Sequence, residues 1–535
     1  MKNVFMGAVF AVLIQGNLQA QQAVKSSAVK TTPTGINSIE EAVESAVKNH
    51  PALSATRKSS EAARSGIAEA EGELYPSIDF RSAVGREENE NSTTINAGDA
   101  HRSLTRFESS LLVRQSIYAG GRISNNISRR RHASNEAFFL YLDEKEKTVF
   151  NAIDAYLEYT RTASLIVLAK KNVQIHQNIL KIVNERKKRG MSRDADVIQV
   201  KGRLALAQAQ YQRELANKYS SAEQFIEAVG NKPGKALKEA AGVHSKLPKS
   251  LPAAKMSALS QHPLLTARQS TVDQAHFAVK ESDAAFRPQL ALELRAQEND
   301  NVGGTLGNDD QYSAMLVLNW NLFRGGADKA IKVSRLFQEE NAKDLLFDEK
   351  GKVIRNVAVS WHDYKGILVE LNYFMQHEKA SFQTLKAYQE QYKLNKRTLF
   401  DLLNAQNELF LASSRVIETK FAKVRGIYSI FGNMGNISSL FMKAEKSPEQ
   451  VKLAEVAAKV AAKAKAEKAA AKAKADKAAA KAKAKKAAVK AKAEKATVNV
   501  KAEKVVAQGK AGKATAKAKV KKGAYVLDIK DVPSK

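Results

Sequence analysis

The chain has no cysteine among its 535 residues. That excludes a disulfide scaffold, a thiolate zinc site, a thiol nucleophile and an acylated N-terminal cysteine. Proline and glycine are scarce, at 10 and 27, which points to long uninterrupted elements. Beyond the N-terminus no stretch of about 20 apolar residues occurs, so no membrane-spanning helix is expected. Hydrophobic residues make up 44% of the chain, enough for a sizeable core and too many for wholesale disorder. Length alone corresponds to roughly three domains of about 150 residues.

Arginine is also missing from residues 443–535, although the stretch is strongly basic: 27 Lys against 9 acids, a net of +18 out of +30 for the whole chain. The first 442 residues are therefore only mildly basic, at +12, and the tail must be read separately. At the other end Lys2 precedes an apolar run from Val4 to Ile14, followed by Gly16 and Ala20. This order predicts a secretory signal over residues 1–20, with cleavage placed after Ala20; a buried first helix or strand is the other reading. Residues 21–37 are polar and are expected to form a flexible arm.

The main organising feature is an internal duplication. His50-Pro51 recurs as His262-Pro263 and Pro76 as Pro288, both 212 residues on. Tyr118-Ala119-Gly120-Gly121 recurs as Phe323-Arg324-Gly325-Gly326, 205 residues on, and that offset holds through Tyr159 and Tyr364, Asp196 and Asp401, and Gly230-Asn231 and Gly435-Asn436. Repeat 1 is assigned to 38–231, a linker to 232–258, repeat 2 to 259–440 and the tail to 441–535. Each repeat has a lead-in helix (Ile39 to about Glu73 in the first), a Pro, two strands around a polar loop, Gly-Gly, and very long helices. From Arg122 to Arg189 there are 68 residues without Gly or Pro; about 60 of them in helix would reach roughly 90 Å. The helix is expected to turn near Gly190 and return to about Val229. The second copy should run from Ala327, turn near Asn395 and end near Asn433.

The strands mostly alternate. Leu290, Leu292, Leu294 and Ala296 share one parity against Gln289, Glu293, Arg295 and Gln297. Tyr312, Ala314, Leu316, Leu318, Trp320 and Leu322 share another, with Met315 and Val317 breaking the pattern. Phe107, Leu111, Val113 and Ile117 alternate with Glu108, Ser110, Arg114 and Ser116. A sheet on a soluble core would read this way, and so would membrane strands about 10 residues long, apolar outward and polar inward. Four strands cannot close a barrel, and lipid tolerates no open edge. If these strands meet lipid, several chains must share one barrel, and three would supply twelve strands.

The second turn reads Tyr392-Lys393-Leu394-Asn395-Lys396-Arg397-Thr398-Leu399-Phe400-Asp401-Leu402-Leu403. It resembles the valine-glycine-x-arginine-threonine-x-x-aspartate-valine-leucine signature of the TolC family of outer-membrane efflux and secretion ducts. Arg189-Gly190-Met191 followed by Asp196-Val197-Ile198 is similar to that family's first tip. The His-Pro pairs, Pro76, Pro288 and the Gly-Gly positions match further landmarks, and the resemblance covers about residues 38–440.

The resemblance implies a mostly α fold with transmembrane β: a homotrimer with a 12-stranded barrel in the outer membrane and an α-helical tunnel in the periplasm. It implies a closed inner end that opens when an inner-membrane transporter, of the ABC or RND class, docks through a periplasmic adaptor (membrane fusion) protein. Gly190, Met191, Leu394 and Asn395 would form the docking tips. Tyr392 and Arg397 would close the constriction together with Asp196 of the first tip, and Asp401 would form a pore-facing acidic ring. The family's second acidic ring falls on Asn404, a departure that removes a charge. Asn395 stands where the family has Gly, and Asn tolerates left-handed backbone. Taken by themselves, Arg397 and Asp401 are also an ordinary i,i+4 surface pair.

No cofactor is expected, and an enzyme reading has little support. His50 and His262 sit beside Pro at equivalent positions, as helix starts do, and no cluster has metal-ligand spacing. Gly303-Gly304 lies in a polar loop between strands, and no Walker lysine follows Gly120-Gly121. Residues 451–522 are nearly an Ala/Lys copolymer. Ala and Lys both favour helix, but lysine repulsion opposes it. The tail could neutralise acidic cell-envelope polymers. It also carries the alternative reading of the whole chain, a basic-tailed nucleic-acid or polyanion-binding structural protein.

Overall fold

The computed structural model describes residues 35–235, 237–238, 246–443 and 445, and in the tail 465, 468–469, 472, 475–495 and 497. The expected signal over 1–20, and the arm as far as residue 34, lie outside the described residues. The body and the tail are separate units, divided after Glu449.

The body opens with α1 (Ile39–Asn49) and α2 (Pro51–Gly72). The single lead-in helix expected from Ile39 to Glu73 is thus two helices. Pro51 offers no N–H to continue the ladder and drives His50 to extended backbone, φ −68 and ψ 121. Next come β1 (Ser77–Asn89), a short helix α3 (Ser92–Asn96) and β2 (Arg102–Tyr118). Gly121, left-handed at φ 92, starts α4 (Arg122–Lys188), and α5 (Asp194–Val229) returns. The second copy repeats the order: α6 (Leu251–Gln261), α7 (Pro263–Ser282), β3 (Gln289–Asp300), β4 (Asn308–Asn319), α8 (Ala327–Lys393) and α9 (Leu399–Asn433). α4 and α8 each have 67 residues and span about 100 Å.

Several boundaries differ from the sequence expectation. Repeat 2 begins at Leu251, so the linker assigned to 232–258 ends eight residues earlier, because Ser250 caps α6 by accepting from the Ala253 amide. The arm does not run to residue 37: Ile36 is buried and forms a parallel bridge with Pro233, and Tyr156 donates to the Asn37 carbonyl at 3.0 Å. The tail does not start at 441. Phe441 and Met442 pack on the core, and Glu445 accepts from Tyr141 and the buried Lys145. β4 stops at Asn319, short of the expected Leu322, because its partner strand begins only after Pro288 and the register ends at Gln289–Asn319.

The main core lies at the midpoints of the long helices, where α5 and α9 end. Val149, Ile153 and Tyr156 of α4, Phe225 of α5, Val357 and Tyr364 of α8, and Ile427, Tyr428 and Ile430 of α9 meet there with α1 and α6. The upper and lower helix lengths have only thin satellite clusters. Helices of this length with so little shared interior present long faces for another molecule.

The sheet is antiparallel in the order β1-β2-β3-β4. Its register puts Phe80, Leu111, Ala296 and Tyr312 in one cross-strand row, and Ile78, Val113, Leu294 and Ala314 in the next. That face is apolar and open to the outside: Ile78, Val84, Leu316 and Leu318 are 63–74% exposed. The other face is charged and bridged, with Arg114 3.4 Å from Glu293 and Arg106 3.1 Å from Glu87. An apolar face turned outward and an ion-paired face behind it reverse the arrangement of a soluble sheet. Among the described residues, the outer edges of β1 and β4 have no partner strand.

Candidate functional site: the two helix-turn-helix tips

The two tips are built by the same local device. At the end of α4, Gly190 is left-handed at φ 71, the Gly190 amide donates to Lys187 at 2.9 Å and the Met191 amide to Arg186 at 2.9 Å. At the end of α8, Asn395 is left-handed at φ 58, with the Asn395 amide donating to Tyr392 at 3.1 Å and the Lys396 amide to Gln391 at 2.8 Å. This closes the helix carbonyls with a Schellman-type turn, which needs a residue that accepts positive φ. The next helix of each pair starts with an aspartate in its first turn. Asp196 accepts from the Arg193 amide at 2.9 Å and the Ser192 hydroxyl at 2.8 Å. Asp401 accepts from the Thr398 amide at 3.3 Å and hydroxyl at 2.8 Å, while the Asp401 amide donates back to Thr398. Both carboxylates therefore complete a capping box, satisfying the N-cap amide of a returning helix.

These bonds hold the Asp196 carboxyl below its ordinary 3.8, the Arg193 amide first and the Ser192 hydroxyl second. A carboxyl depressed in the folded state contributes stability that is fully present above its ordinary pKa and lost only as pH falls through the lower folded value. Hydrogen exchange should therefore show the Arg193 amide protected in the wild-type chain down to about pH 4. Asp196→Ala should remove that protection even at neutral pH.

The two tips share one apolar cluster, in which Val183, Val197 and Val200 of repeat 1 meet Leu399 and Leu403 of repeat 2, with Tyr392 packed alongside. Above it sit two arginine–tyrosine stacks. The Arg186 guanidinium lies 4.8 Å from the Tyr392 ring centre and donates to the Tyr392 carbonyl at 3.4 Å and to the Asn395 side chain. Arg397 lies 4.4 Å from the Tyr388 ring centre and donates to Gln391 at 2.9 Å. Burial pushes the Tyr392 phenol above its usual range. The structure thus brings Tyr392 and Asn395 together through Arg186, and sets Arg397 on Tyr388 and 3.9 Å from Asp401, the i,i+4 geometry. Within the chain, Asp196 has its hydrogen bonds in its own turn rather than with Tyr392 or Arg397. Asn404 accepts from Arg203 at 2.9 Å. Met191 and Leu394 project from the tips, 51% and 67% exposed, with Gly190 and Asn395 beside them.

Arg186 and Arg203 were not among the sequence-predicted site residues. The 205-residue offset sets Arg186 opposite Gln391 and Arg203 opposite Glu408. A cation present in one copy only was the available signal. Among the described residues, no group of His, Asp and Glu could hold a metal, and no helix is long and apolar enough to cross a membrane.

Comparison with known proteins agrees with this architecture. The outer membrane efflux protein family matches residues 42–231 and 256–423, both repeats. The outer membrane efflux protein BepC of Brucella suis biovar 1 is 23% identical over 436 residues, which cover 80% of this chain and 90% of BepC. The alkaline protease secretion protein AprF of Pseudomonas aeruginosa is 22% identical, over 70% of this chain and 80% of its own. The Campylobacter jejuni CmeC outer membrane channel superposes with a TM-score of 0.67 at 15% identity, covering 77% of this chain and 88% of CmeC. A duplicated body of long helix pairs, an outward-apolar sheet and a family match across both repeats lead to one conclusion: the chain belongs to the outer membrane efflux protein family and is an efflux or secretion duct of the outer membrane.

Proposed function

We propose that three copies of this chain close a 12-stranded barrel in the outer membrane, continued by a helical tunnel into the periplasm. The observation that carries this reading is the sheet. Its apolar face is exposed along all four strands, its opposite face is ion-paired, and both outer edges are open. Lipid covers the first, a wet lumen suits the second, and β1 of one copy pairing with β4 of the next removes the third. The tips then meet a periplasmic adaptor through Met191, Leu394 and the turns at Gly190 and Asn395, and the adaptor links the duct to an inner-membrane ABC or RND transporter. Tyr392, Arg397, Asp196, Asp401 and Asn404 line the constriction, with Arg186 and Arg203 added by their contacts to Tyr392 and Asn404. BepC is named for efflux and AprF for protease secretion, and the duct geometry suits both.

The absence of native cysteine gives a direct test. Ala314→Cys on β4 is combined with single cysteines introduced along Ser77–Asn89 of β1. At the residues that face each other across the joint, oxidation should convert the protein into a covalent three-chain species on denaturing gels. Monomers that remain uncrosslinked at every position, with a sheet closed on itself, would sink the proposal.

A further inference from the structure

Residues 475–495 of the tail form a helix, and every one of them is exposed. Helical geometry sorts its lysines by face. At about 100° per residue, Lys477, Lys481, Lys485, Lys492 and Lys495 fall within an arc of roughly 80°. Lys483, Lys486 and Lys490 fall on the opposite side, together with both acids of the segment, Asp476 and Glu494. One face is therefore purely cationic along about 27 Å, from Lys477 to Lys495, while the other is charge-mixed. Nothing in a free solubilising tail requires that division, because solvation is satisfied by any arrangement of lysines.

We propose that the face of Lys477, Lys481, Lys485, Lys492 and Lys495 is a docking surface for an extended acidic polymer of the cell envelope, a chain bearing carboxylates or phosphates. Charge complementarity selects an anion. The composition of the helix selects a polymer over a membrane: Val489 is the one uncharged side chain of the segment larger than alanine, whereas a helix that lies in a bilayer interface needs a broad apolar face. Lysines about 6 Å apart, as at Lys477, Lys481 and Lys485, can each meet a successive anionic group. Each contact releases a counterion, so binding weakens steeply with salt. Placing the polymer in the envelope rests on the outer-membrane assignment above; the face dependence does not.

The test compares two triple variants of the full-length protein that lose the same charge. One is Lys477→Gln, Lys481→Gln and Lys485→Gln; the other is Lys483→Gln, Lys486→Gln and Lys490→Gln. Gln is close to Lys in helix propensity, and circular dichroism checks that helix content is kept. Binding to immobilised polygalacturonate is followed between 50 and 300 mM salt. The first triple should weaken binding at least tenfold and flatten the log–log salt slope by about 2, at roughly 0.7 per lost contact for a flexible chain. The second should change affinity less than threefold. Equal losses from both triples, or no binding by the parent protein, would overturn the assignment. So would tighter, equally face-dependent binding to phosphatidylglycerol vesicles or duplex DNA. Single-channel conductance of the same variants reports on the duct separately and should match the parent.

Discussion

Serine at both Arg186 and Arg397 should raise single-channel conductance of the assembled protein several-fold in planar bilayers. Arg186 joins the two repeats at the tip by three contacts: the Tyr392 ring, the Tyr392 carbonyl and the Asn395 side chain. Arg397 stacks on Tyr388 and bonds Gln391. A cation–π contact contributes about 0.5–2 kcal/mol and a hydrogen bond to a charged group about 1.5–3. The Arg186 contacts cross between the repeats, so three copies of them are comparable with the roughly 5.5 kcal/mol that moves a two-state gate from 1:99 to 99:1, and the local Arg397 stack adds less. Tyr392→Phe should do much less, because it keeps the ring on which Arg186 lies. Conductance unchanged in the double variant would reduce Arg397 and Asp401 to a surface pair.

Phe225→Ala should cost about 3–5 kcal/mol, the usual loss for a buried aromatic truncated to alanine. Phe225 is fully buried at the end of α5, with its ring centre 6.3 Å from that of Tyr156 and 6.0 Å from that of Tyr159. Among the described residues the main core is the largest buried cluster and the others are thin, so a cavity there is not offset by neighbouring layers. The expected result is a clear drop in the heat-dissociation temperature of detergent-purified protein. Val167→Ala on α4, the helix that carries Tyr156 and Tyr159, where the side chain is 70% exposed, should leave it within the range of ordinary surface changes, about 0.5 kcal/mol. Equal shifts for the two variants would mean that the midpoint core does not hold the assembly.

Much of this architecture could be read directly from the chain. The offsets of 212 and 205 recur as equivalent elements: α1 and α6 begin 212 residues apart, and α4 and α8, like α5 and α9, begin 205 apart. The long helices were legible because a missing Gly or Pro is a local fact, and the two faces of the sheet because strand alternation has a period of two. The tips were legible because Gly190 and Asn395 supply positive φ, and Asp196 and Asp401 stand three residues after their caps.

The tertiary structure decided what each side chain meets. The family resemblance groups Asp196, Tyr392 and Arg397; within one chain Asp196 closes its own turn and Arg186 occupies the Tyr392 ring. Ile36 and Glu445 lie in stretches that look like loose ends, but one is buried against Pro233 and the other is bonded to Tyr141 and Lys145. Periodicity, caps and breakers act over a few residues and leave their mark in the chain at that range. The partner of Arg186 lies 206 residues away, and which ring or carboxylate it reaches depends on how two helices about 100 Å long pack and where their turns end, distances that no local pattern encodes.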